Sequence, residues 1–402
     1  MSFTPGLVSV CLPVYNGDQY LQAAIQSILA QTYQNLELII FDDFSSDHSL
    51  AMIEHFAGLD NRIHHWRNGR RLGLFETYNQ CLGQASGEYI KLFSQGDLLH
   101  HEAIEACVGQ MQAEPTVAMV TIGHELIDAR GGPIKNPDQE WMKEAFKPFR
   151  PIERLEVLEK CLFPLTNHLG EASAVMFRSA FQGTGFDSRL HQYAELDYWL
   201  RIIMDGDCIC LPEAYAHIRH HLGSAAMTNS RNLMGACDLI KIARKFSRVI
   251  EACGKNEEEF LDQSISAYVA EIQTMVADGT IAAGPLRRAE DLRARAAMNS
   301  SHETSASATV AFSALASALV GGDVSAVSFA AEPNASGTAM LEDLIDFREF
   351  AFHAIRLLSQ TALAPAKPQE AVRKTNAEQA KQPVSPSLLS CRLLQKEAYY
   401  RS

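Results

Sequence analysis

Residues 9–47 read SVCLPVYNGDQYLQAAIQSILAQTYQNLELIIFDDFSSD, and this stretch decides the fold. An apolar run at residues 7–12 predicts a buried β-strand that ends at Pro13. Asp18 is placed to cap a helix, because an apolar stripe at helical spacing follows it. The stripe consists of Leu21, Ile25, Ile28 and Leu29. A second apolar run at residues 36–41 predicts the next strand, so the stretch forms a parallel βαβ unit.

The alternation of strand and helix signals continues to about residue 121. Further strands are predicted at residues 62–66, 89–93 and 116–121, and further helices at residues 47–57, 74–82 and 102–111. Strands and helices that alternate at this spacing form parallel sheets covered by helices on both faces. The sequence therefore predicts an α/β fold with a mostly parallel, Rossmann-like sheet.

The character of the chain changes beyond residue 222. Helical patterns occur there at residues 238–250, 257–277, 286–298 and 341–358. From residue 365 onward, prolines alternate with polar and charged residues, a composition that is typical of disorder. We therefore predict an α/β domain at residues 1–225, an α-helical C-terminal region at residues 226–364 and a disordered tail at residues 365–402.

Composition and charge limit the function and the location. The chain has 402 residues and a formal net charge of -13, which argues against a nucleic-acid-binding protein, because phosphate neutralisation needs clustered Lys and Arg. No Lys or Arg precedes Arg62, so we expect neither a secretory signal nor a transit peptide. No segment reaches the roughly 20 apolar residues that span a bilayer. With nine scattered cysteines, these features predict a protein of the reducing cytoplasm.

Polar side chains follow the predicted strands at the edge of the sheet where ligands bind in open α/β folds. They are Pro13, Tyr15 and Asn16 after the first strand, Asp42 and Asp43 after the second, and Asp97 after the fourth. Neither a G-x-G-x-x-G motif nor a Walker A lysine accompanies them, so a dinucleotide site and a P-loop are not predicted. The pattern indicates an acidic site of nucleotide size.

These residues lie in a stretch that closely resembles the opening of family 2 glycosyltransferases, which are inverting nucleotide-sugar transferases of the GT-A fold. The resemblance continues in NQCLGQASGEYIKLFSQGDLL (residues 79–99), LGEASAVMFRSAFQGTGFD (169–187), ELDYWLR (195–201) and PEAYAHIRHHLGS (212–224). It covers roughly the first 225 residues, and its first block is the most specific. The resemblance implies a GT-A domain that binds a nucleotide-sugar donor.

The resemblance also implies roles for the residues of the first two loops. Tyr15 corresponds to the aromatic residue that stacks on the base of the donor, usually uracil, and Asp43 to the carboxylate that accepts the base N–H. Pro13 and Asn16 would shape the first loop, and Asp42 would adjoin the donor. The competing interpretation of Asp42 and Asp43 is helix capping. We favour donor binding, because other capping groups follow in the same loop.

The family expects an Asp-x-Asp motif that holds a divalent cation on the donor diphosphate, where the cation acts as a Lewis acid. In this sequence Ser94 and Gly96 occupy the two aspartate positions, and Asp97 follows. The resemblance implies that Asp97 and His221 could together hold Mg²⁺ or Mn²⁺, because these ions also accept water and phosphate oxygens. The competing interpretation of His221 is a surface histidine at a strand end. Both stay open from the sequence.

An inverting transferase needs one carboxylate that takes a proton from the acceptor hydroxyl. Glu195 aligns best with the base of the family, and Asp197 is its rival. On a helix these two side chains point about 200° apart, so at most one of them faces the substrate. The ordinary alternative is a solvated start of a helix.

The resemblance implies a sugar transferase that uses a nucleotide diphosphate donor, with UDP expected as the nucleotide. The acceptor would be a hydroxyl of a glycan or of a lipid-linked saccharide, in polysaccharide biosynthesis at the cytoplasmic face of the membrane. A second hypothesis is a catalytically weakened protein that binds the nucleotide sugar or a partner enzyme, because the Asp-x-Asp motif is degenerate. A sugar-phosphate nucleotidyltransferase is disfavoured, because no glycine-rich basic loop follows the first strand.

Four basic residues share one face of the first predicted C-terminal helix: Lys241, Arg244, Lys245 and Arg248. One interpretation is peripheral contact with an anionic membrane surface, where lipid-linked acceptors occur. The other is a charged solvent face above a packed apolar stripe, which is the commoner arrangement.

Overall fold

The computed structural model describes residues 3–134, 145–220 and 234–277, together with Asp346, Phe350, His353 and Ala354. The strands are β1 (Thr4–Val14), β2 (Leu36–Asp42), β3 (Ile63–Arg67), β4 (Gly87–Leu92), β5 (Leu98–Leu99), β6 (Val117–Ile127), β7 (Val175–Arg178) and β8 (Asp207–Arg219). The helices are α1 (Asp18–Leu29), α2 (Ser49–Leu59), α3 (Leu74–Gln84), α4 (Ala103–Ala113), α5 (Arg154–Leu162), α6 (Ala194–Ile203), α7 (Met234–Lys245), α8 (Ser247–Ala252) and α9 (Glu257–Ala277). In the parts described, none of the helices has the length and apolar character that a membrane span requires.

The strands form one sheet in the order β3-β2-β1-β4-β7-β6-β8-β5. β1 pairs in parallel with both β2 and β4, and β2 pairs in parallel with β3. The order along the chain reverses beside β1, which is the position where ligands bind in open α/β sheets. The predicted α/β fold with a mostly parallel sheet is confirmed.

The sequence analysis does not predict β7, which runs antiparallel to both of its neighbours, β4 and β6. Its four residues, VMFR, are almost entirely buried and carry no alternating pattern. An apolar run indicates that a segment is buried, but it does not indicate the direction of the strand. The direction depends on where the chain enters the sheet. A second antiparallel pair joins β5 to β8 at the sheet edge.

The sheet has a core on each face, because successive side chains of a strand point to opposite sides. Val8, Val10 and Leu12 of β1 pack on one face with the stripe of α1, and Cys11 packs on the other face. In α1, Leu21, Ile25 and Ile28 are completely buried, as the periodicity predicts. At about 25 cal/mol per Å² of apolar surface, this burial is the main stabilising contribution.

The C-terminal helices pack on the same face of the sheet as Cys11. Leu239 and Ile242 of α7 and Ile265 of α9 belong to the apolar core that includes strand and α6 residues. A capping box starts α9, since the Asn256 N–H donates to Glu259 Oε2 at 3.2 Å and the Glu259 N–H donates to Asn256 Oδ1 at 2.9 Å. The helix predicted at residues 238–250 is two helices, α7 and α8.

Several predictions on the C-terminal half concern residues that are not described. The helix predicted at residues 286–298, the domain boundary at residues 225/226 and the tail at residues 365–402 all lie outside the described residues. Within the helix predicted at residues 341–358, only the four separate residues named above are described, and each is helical.

Candidate functional site

The loops that follow β1 and β2 are hydrogen-bonded to each other. The Asn16 N–H donates to Ser45 Oγ at 3.0 Å, and Asn16 Oδ1 accepts from the Ser46 N–H at 2.8 Å. The Asp43 N–H donates to the carbonyl of Val14 at 2.7 Å, which extends the pairing of the two strands. Asn16 adopts a positive φ of 47°, a conformation that asparagine tolerates better than most residues. Asn16 therefore shapes the first loop and joins it to the second.

The side-chain amide of Gln95 joins the β1 loop to the loop that follows β4. Gln95 Oε1 accepts from the Tyr15 N–H at 2.9 Å, and Gln95 Nε2 donates to the Tyr15 carbonyl at 3.0 Å. Gly17 leaves room for this contact, because a Cβ at that position would lie 2.4 Å from Gln95 Oε1 and would displace the Gln95 side chain. The three loops after β1, β2 and β4 thus form one connected edge. The sequence analysis did not identify Gln95, whose partners are main-chain groups about 80 residues away.

Asp43 orders the loop that follows β3. Its carboxylate is 3% exposed and accepts the Asn68 Nδ2 donor at 2.9 Å, the Leu72 N–H at 2.7 Å and the Gly73 N–H at 2.8 Å. A carboxylate offers about four acceptor positions, so one position on Asp43 Oδ2 stays available for a ligand donor. Within the described residues, Asp43 is therefore both a loop anchor and a candidate acceptor.

The same loop places Arg71 over Tyr15. The Arg71 guanidinium lies 4.0 Å from the centre of the Tyr15 ring, a cation–π contact. Tyr15 and Asp43, the two residues predicted to bind the base, therefore share the loop at residues 68–73. Arg71 did not emerge from the sequence, although an arginine after β3 in a chain of net charge -13 is a signal for an anionic ligand.

Asp42 and Pro13 lie beneath this surface. Asp42 is fully buried, and its Oδ2 accepts from the Ser45 N–H at 3.1 Å and pairs with Arg67 Nε at 3.2 Å. Pro13 is opposite Phe41 in the parallel pairing of β1 with β2. The contacts of Asp42 are those of a residue that shapes the loop after β2.

Asp97 is held inside the loop that follows β4 and is 4% exposed. Its Oδ2 accepts from Ser173 Oγ at 2.6 Å, and its Oδ1 accepts from the Arg219 N–H at 2.8 Å. Burial raises the pKa of the Asp97 carboxyl to about 7. Lys91, buried in β4, donates to the carbonyl of Ser173 and supports the same arrangement.

The described residues of this loop do not fit a divalent cation. Mg²⁺ and Mn²⁺ need several oxygen ligands, whereas Asp97 is the one carboxylate at positions 94–97. Gly96 offers no side chain, and its carbonyl accepts from the Arg219 guanidinium at 2.8 Å, so a positive charge already lies there. The predicted second ligand, His221, lies outside the described residues.

Glu195 lies in the first turn of α6, close to Glu171 and Asp97. These three carboxyl groups form the acidic centre of the site. Glu195 Oε1 accepts from the Ala172 N–H at 3.2 Å. Burial, together with the nearby negative charges of Glu171 and Asp97, raises the pKa of Glu195 to about 8. His220 faces Glu171 with Nε2 3.8 Å from Oε1, a contact that raises the pKa of His220. Glu195 therefore lies close to the Asp97 loop.

Asp197 faces away from Glu195 into the protein. It is completely buried, its Oδ2 accepts from Arg201 Nε at 3.0 Å, and its Oδ1 lies 2.7 Å from Lys245 Nζ. Two residues of α6 thus have different environments: the carboxylate of Glu195 borders the acidic centre, and that of Asp197 is neutralised by two cations.

The basic face of α7 contacts protein groups. Lys245 pairs with Asp187 and Asp197, Lys241 donates to the Arg189 carbonyl, and Arg244 pairs with Asp346. Opposite charges and a carbonyl from other segments meet these three residues, while Arg244 and Arg248 stay exposed above the buried Leu239, Ile242 and Phe246, as the solvent interpretation expects. The pattern on one helix does not reveal such partners.

The comparisons with known proteins include a glycosyltransferase family model and named glycosyltransferases. Residues 9–184 match the family model described as glycosyl transferase family 2. An uncharacterized protein of Mycobacterium tuberculosis is 27% identical over 233 residues, which cover 55% of this chain and 69% of that protein. Glycosyltransferase GlyG of Streptococcus pneumoniae is 36% identical over 118 residues, which cover 29% of this chain and 38% of that protein.

Two further similarities are more distant or more partial. An uncharacterized glycosyltransferase of Rickettsia typhi is 29% identical over 202 residues, which cover 49% of this chain and 58% of that protein. The crystal structure of S. aureus TarS 1-349 in complex with UDP has a TM-score of 0.47 and 13% identity, and the alignment covers 86% of this chain and 90% of that one. The chain spans 38% and 58% of the lengths of GlyG and the Rickettsia relative.

Proposed function

Because residues 9–184 match the family model described as glycosyl transferase family 2, we propose that the protein transfers a sugar from a nucleotide diphosphate donor, UDP-linked, to an acceptor hydroxyl with inversion. The observation that carries the proposal is the connected edge formed by the loops after β1, β2 and β4. Tyr15 and Asn16 are hydrogen-bonded there to the Gln95 and Ser45 side chains of the other two loops. The acidic centre with Glu195 adjoins this edge.

The base of the donor binds between Tyr15 and Asp43. The Tyr15 ring supplies a stacking surface, and the remaining acceptor position of Asp43 takes the imide N–H of uracil. Cytosine has a lone pair in place of that N–H, so Asp43 repels it, and UDP is preferred over CDP. The Arg71 guanidinium lies over one face of the Tyr15 ring. A base that stacks on that face displaces the guanidinium toward the donor phosphates.

Glu195 is the base of the transfer step. The acceptor oxygen attacks the anomeric carbon from the side opposite the diphosphate, and its proton passes to the Glu195 carboxylate. The new C–O bond forms as the bond to the diphosphate oxygen breaks, and UDP leaves with the electron pair. Asp97 and Glu171 make the ionised Glu195 a stronger base by raising its pKa.

The acceptor in this proposal is a hydroxyl of a glycan or a lipid-linked saccharide, in polysaccharide biosynthesis. A lipid-linked acceptor would bring the protein to the cytoplasmic face of a membrane as a peripheral protein. Lys241 and Lys245 contact protein groups, so such a contact would rely on other basic side chains, of which Arg244 and Arg248 are exposed. Co-sedimentation with anionic vesicles, with and without a lipid-linked saccharide, tests this part of the proposal.

Donor hydrolysis and transfer with radiolabelled nucleotide sugars test the main proposal. A panel of UDP-, GDP-, CDP- and TDP-sugars is first screened by thermal stabilisation, and each stabilising donor is then assayed for turnover with a glycan acceptor mixture. Because the described residues do not fit a cation, turnover is expected to change less than twofold between EDTA and Mn²⁺. Binding and turnover with no nucleotide sugar would contradict the proposal.

A second function, binding of a nucleotide sugar without transfer, is favoured by the loop after β4. Ser94 and Gly96 replace the expected aspartates, and both oxygens of Asp97 are engaged within the protein. Stoichiometric binding of UDP-sugar with neither hydrolysis nor transfer, under EDTA and Mn²⁺ alike, would support this function over the first.

A further inference from the structure

The segment that leads into α6 is held by a carboxylate from α7. Asp238 Oδ2 accepts three consecutive backbone N–H groups, from His191 at 2.9 Å, Gln192 at 2.6 Å and Tyr193 at 2.9 Å. Asp238 is completely buried, and 45 residues of sequence separate it from Tyr193. Three donors on a single oxygen fix both the position and the direction of this segment.

The segment has no local cap of its own. Tyr193 occupies the N-cap position of α6 and makes no side-chain capping hydrogen bond. Free N–H groups and the positive end of the helix dipole favour an anion at such a position. Asp238 supplies that anion from another helix. Its second oxygen, Oδ1, has no hydrogen-bond partner among the described residues.

Three further contacts join α7 to the same region. The Gly235 N–H donates to Gln192 Oε1 at 3.2 Å, and Lys241 Nζ donates to the Arg189 carbonyl at 3.0 Å. Lys245 Nζ lies 2.7 Å from Asp197 Oδ1, within α6 itself. A side chain at Gly235 is not accommodated, because a Cβ would lie 2.8 Å from Gln192 Oε1. The helix therefore contacts both the lead-in segment and the body of α6.

We infer that Asp238 is a positioning residue for the transfer reaction: by fixing residues 191–193 it places the carboxylate of Glu195 against the Ala172 N–H. Glu195 is only two residues beyond Tyr193, so a rotation of the lead-in segment moves Glu195 directly. This inference rests on the proposed function, in which Glu195 is the base. It assigns to the helical C-terminal region a part in catalysis without contact between that region and the donor.

Two variants test the inference. Asp238→Ala removes the acceptor and is expected to lower kcat about 100-fold, because a displacement of about 1 Å costs that much in a positioned reaction. The affinity for UDP should stay within twofold, because the nucleotide loops are elsewhere on the sheet. Asp238→Asn keeps a carbonyl oxygen for the three N–H groups but removes the negative charge, and its kcat is expected to fall about three- to tenfold below that of the native protein.

The pH dependence of kcat gives a readout that a merely structural role would not move. In Asp238→Ala, Glu195 is displaced from its buried position, so the midpoint of the kcat profile is expected to fall toward the ordinary glutamate range. Asp346→Asn is the matched control, because it removes another buried carboxylate that pairs with α7, through Arg244. This control should leave kcat and the midpoint unchanged at temperatures below its melting transition.

The outcomes separate this inference from the proposed function. A folded Asp238→Ala protein with kcat within threefold of native would overturn the inference, and so would an equal loss of kcat in Asp346→Asn. If Asp238→Ala does not fold, Asp238→Asn decides: an unchanged kcat and an unchanged midpoint would overturn the inference. If Glu195→Gln itself transfers normally, the proposed base is wrong, whatever the Asp238 variants show.

Discussion

The proposed nucleotide side and the proposed acceptor side of this protein are built in different ways. On the nucleotide side, Tyr15, Asn16 and Asp43 lie on short loops that leave neighbouring parallel strands, and main-chain groups make most of the contacts. On the acceptor side, Glu195 lies on a helix whose start is held by Asp238, 45 residues beyond Tyr193. The first side follows from the sheet, whereas the second depends on tertiary contacts. Substitutions should therefore affect binding on one side and turnover on the other.

The largest effect is expected for Glu195→Gln. Loss of the proton acceptor should lower kcat about 1,000-fold, because general bases typically contribute 100- to 10,000-fold. UDP affinity by calorimetry should stay within twofold. Glu213→Gln, at an exposed position of β8, is the control and should keep full activity. If Glu195→Gln had a kcat near the native level, Glu195 would not be the base. The proposed separation of nucleotide binding from turnover between the two sides would then be wrong.

Asp197→Ala should affect stability first. It leaves the Lys245 and Arg201 charges without their buried carboxylate, and breaking such a pair costs about 3 kcal/mol or more of unfolding free energy. Asp60→Ala breaks the more accessible pair with Arg62 and should cost less than about 1 kcal/mol. Urea denaturation measures both values. A stable Asp197→Ala protein that binds UDP but does not transfer would make Asp197 the base.

Asp43→Ala should weaken UDP binding about 100-fold, a loss of about 2.7 kcal/mol. It removes the base acceptor and also releases three donors from the loop after β3. Asn68→Ala separates these contributions, because it loosens the loop but keeps the carboxylate, and its affinity should fall less than tenfold. Equal losses in both variants would show that Asp43 acts on the loop alone. Calorimetric titration with UDP and CDP measures both the affinity and the discrimination.

The smallest effect is the dependence on pH. Glu195 is active as a base when ionised, and its pKa is raised to about 8, so kcat should rise about tenfold per pH unit up to that value. At pH 7 the enzyme should therefore have about a tenth of its limiting kcat. Glu195→Asp should keep a rising profile, whereas UDP affinity should vary little. A kcat profile that is flat between pH 6 and 9 would contradict the assignment.

Stability should depend on pH with the opposite sign to activity. Asp97 and Glu195 have higher pKa values in the folded protein, about 7 and about 8, than in an unfolded chain. The folded state therefore binds more protons between about pH 4 and 8, and its stability decreases as pH rises through that window.

The sequence predicts the strands and loops of the proposed nucleotide side because their signals are local. Apolar runs and helical stripes locate β1, α1 and β2, and the edge where Tyr15, Asn16 and Asp43 meet follows from parallel pairing. Gln95 and Arg71 escape prediction, since their partners are main-chain groups or a ring on a different loop. No local pattern could reveal those partners.

The acceptor side is less predictable for the same physical reason. The helical spacing of Glu195 and Asp197 predicts that only one of them faces the substrate. The charged side chains that neutralise Asp197, Arg201 of α6 and Lys245 of α7, come from two helices and cannot be read from that spacing. The antiparallel direction of β7 and the role of Ser173 beside Asp97 likewise depend on long-range chain geometry. Metal binding at Asp97 and His221 stays a prediction that the EDTA comparison tests.

The attachment of Asp238 to residues 191–193 has a consequence for how the protein is made. Domains tend to fold from the N-terminus as the chain emerges during synthesis. The strands and loops around Tyr15 and Asp43 are complete before residue 100 is translated. The hydrogen bonds from Asp238 to residues 191–193 form only after residue 238 has left the ribosome. A nascent chain should therefore acquire the ability to hold a nucleotide well before it acquires the ability to transfer a sugar.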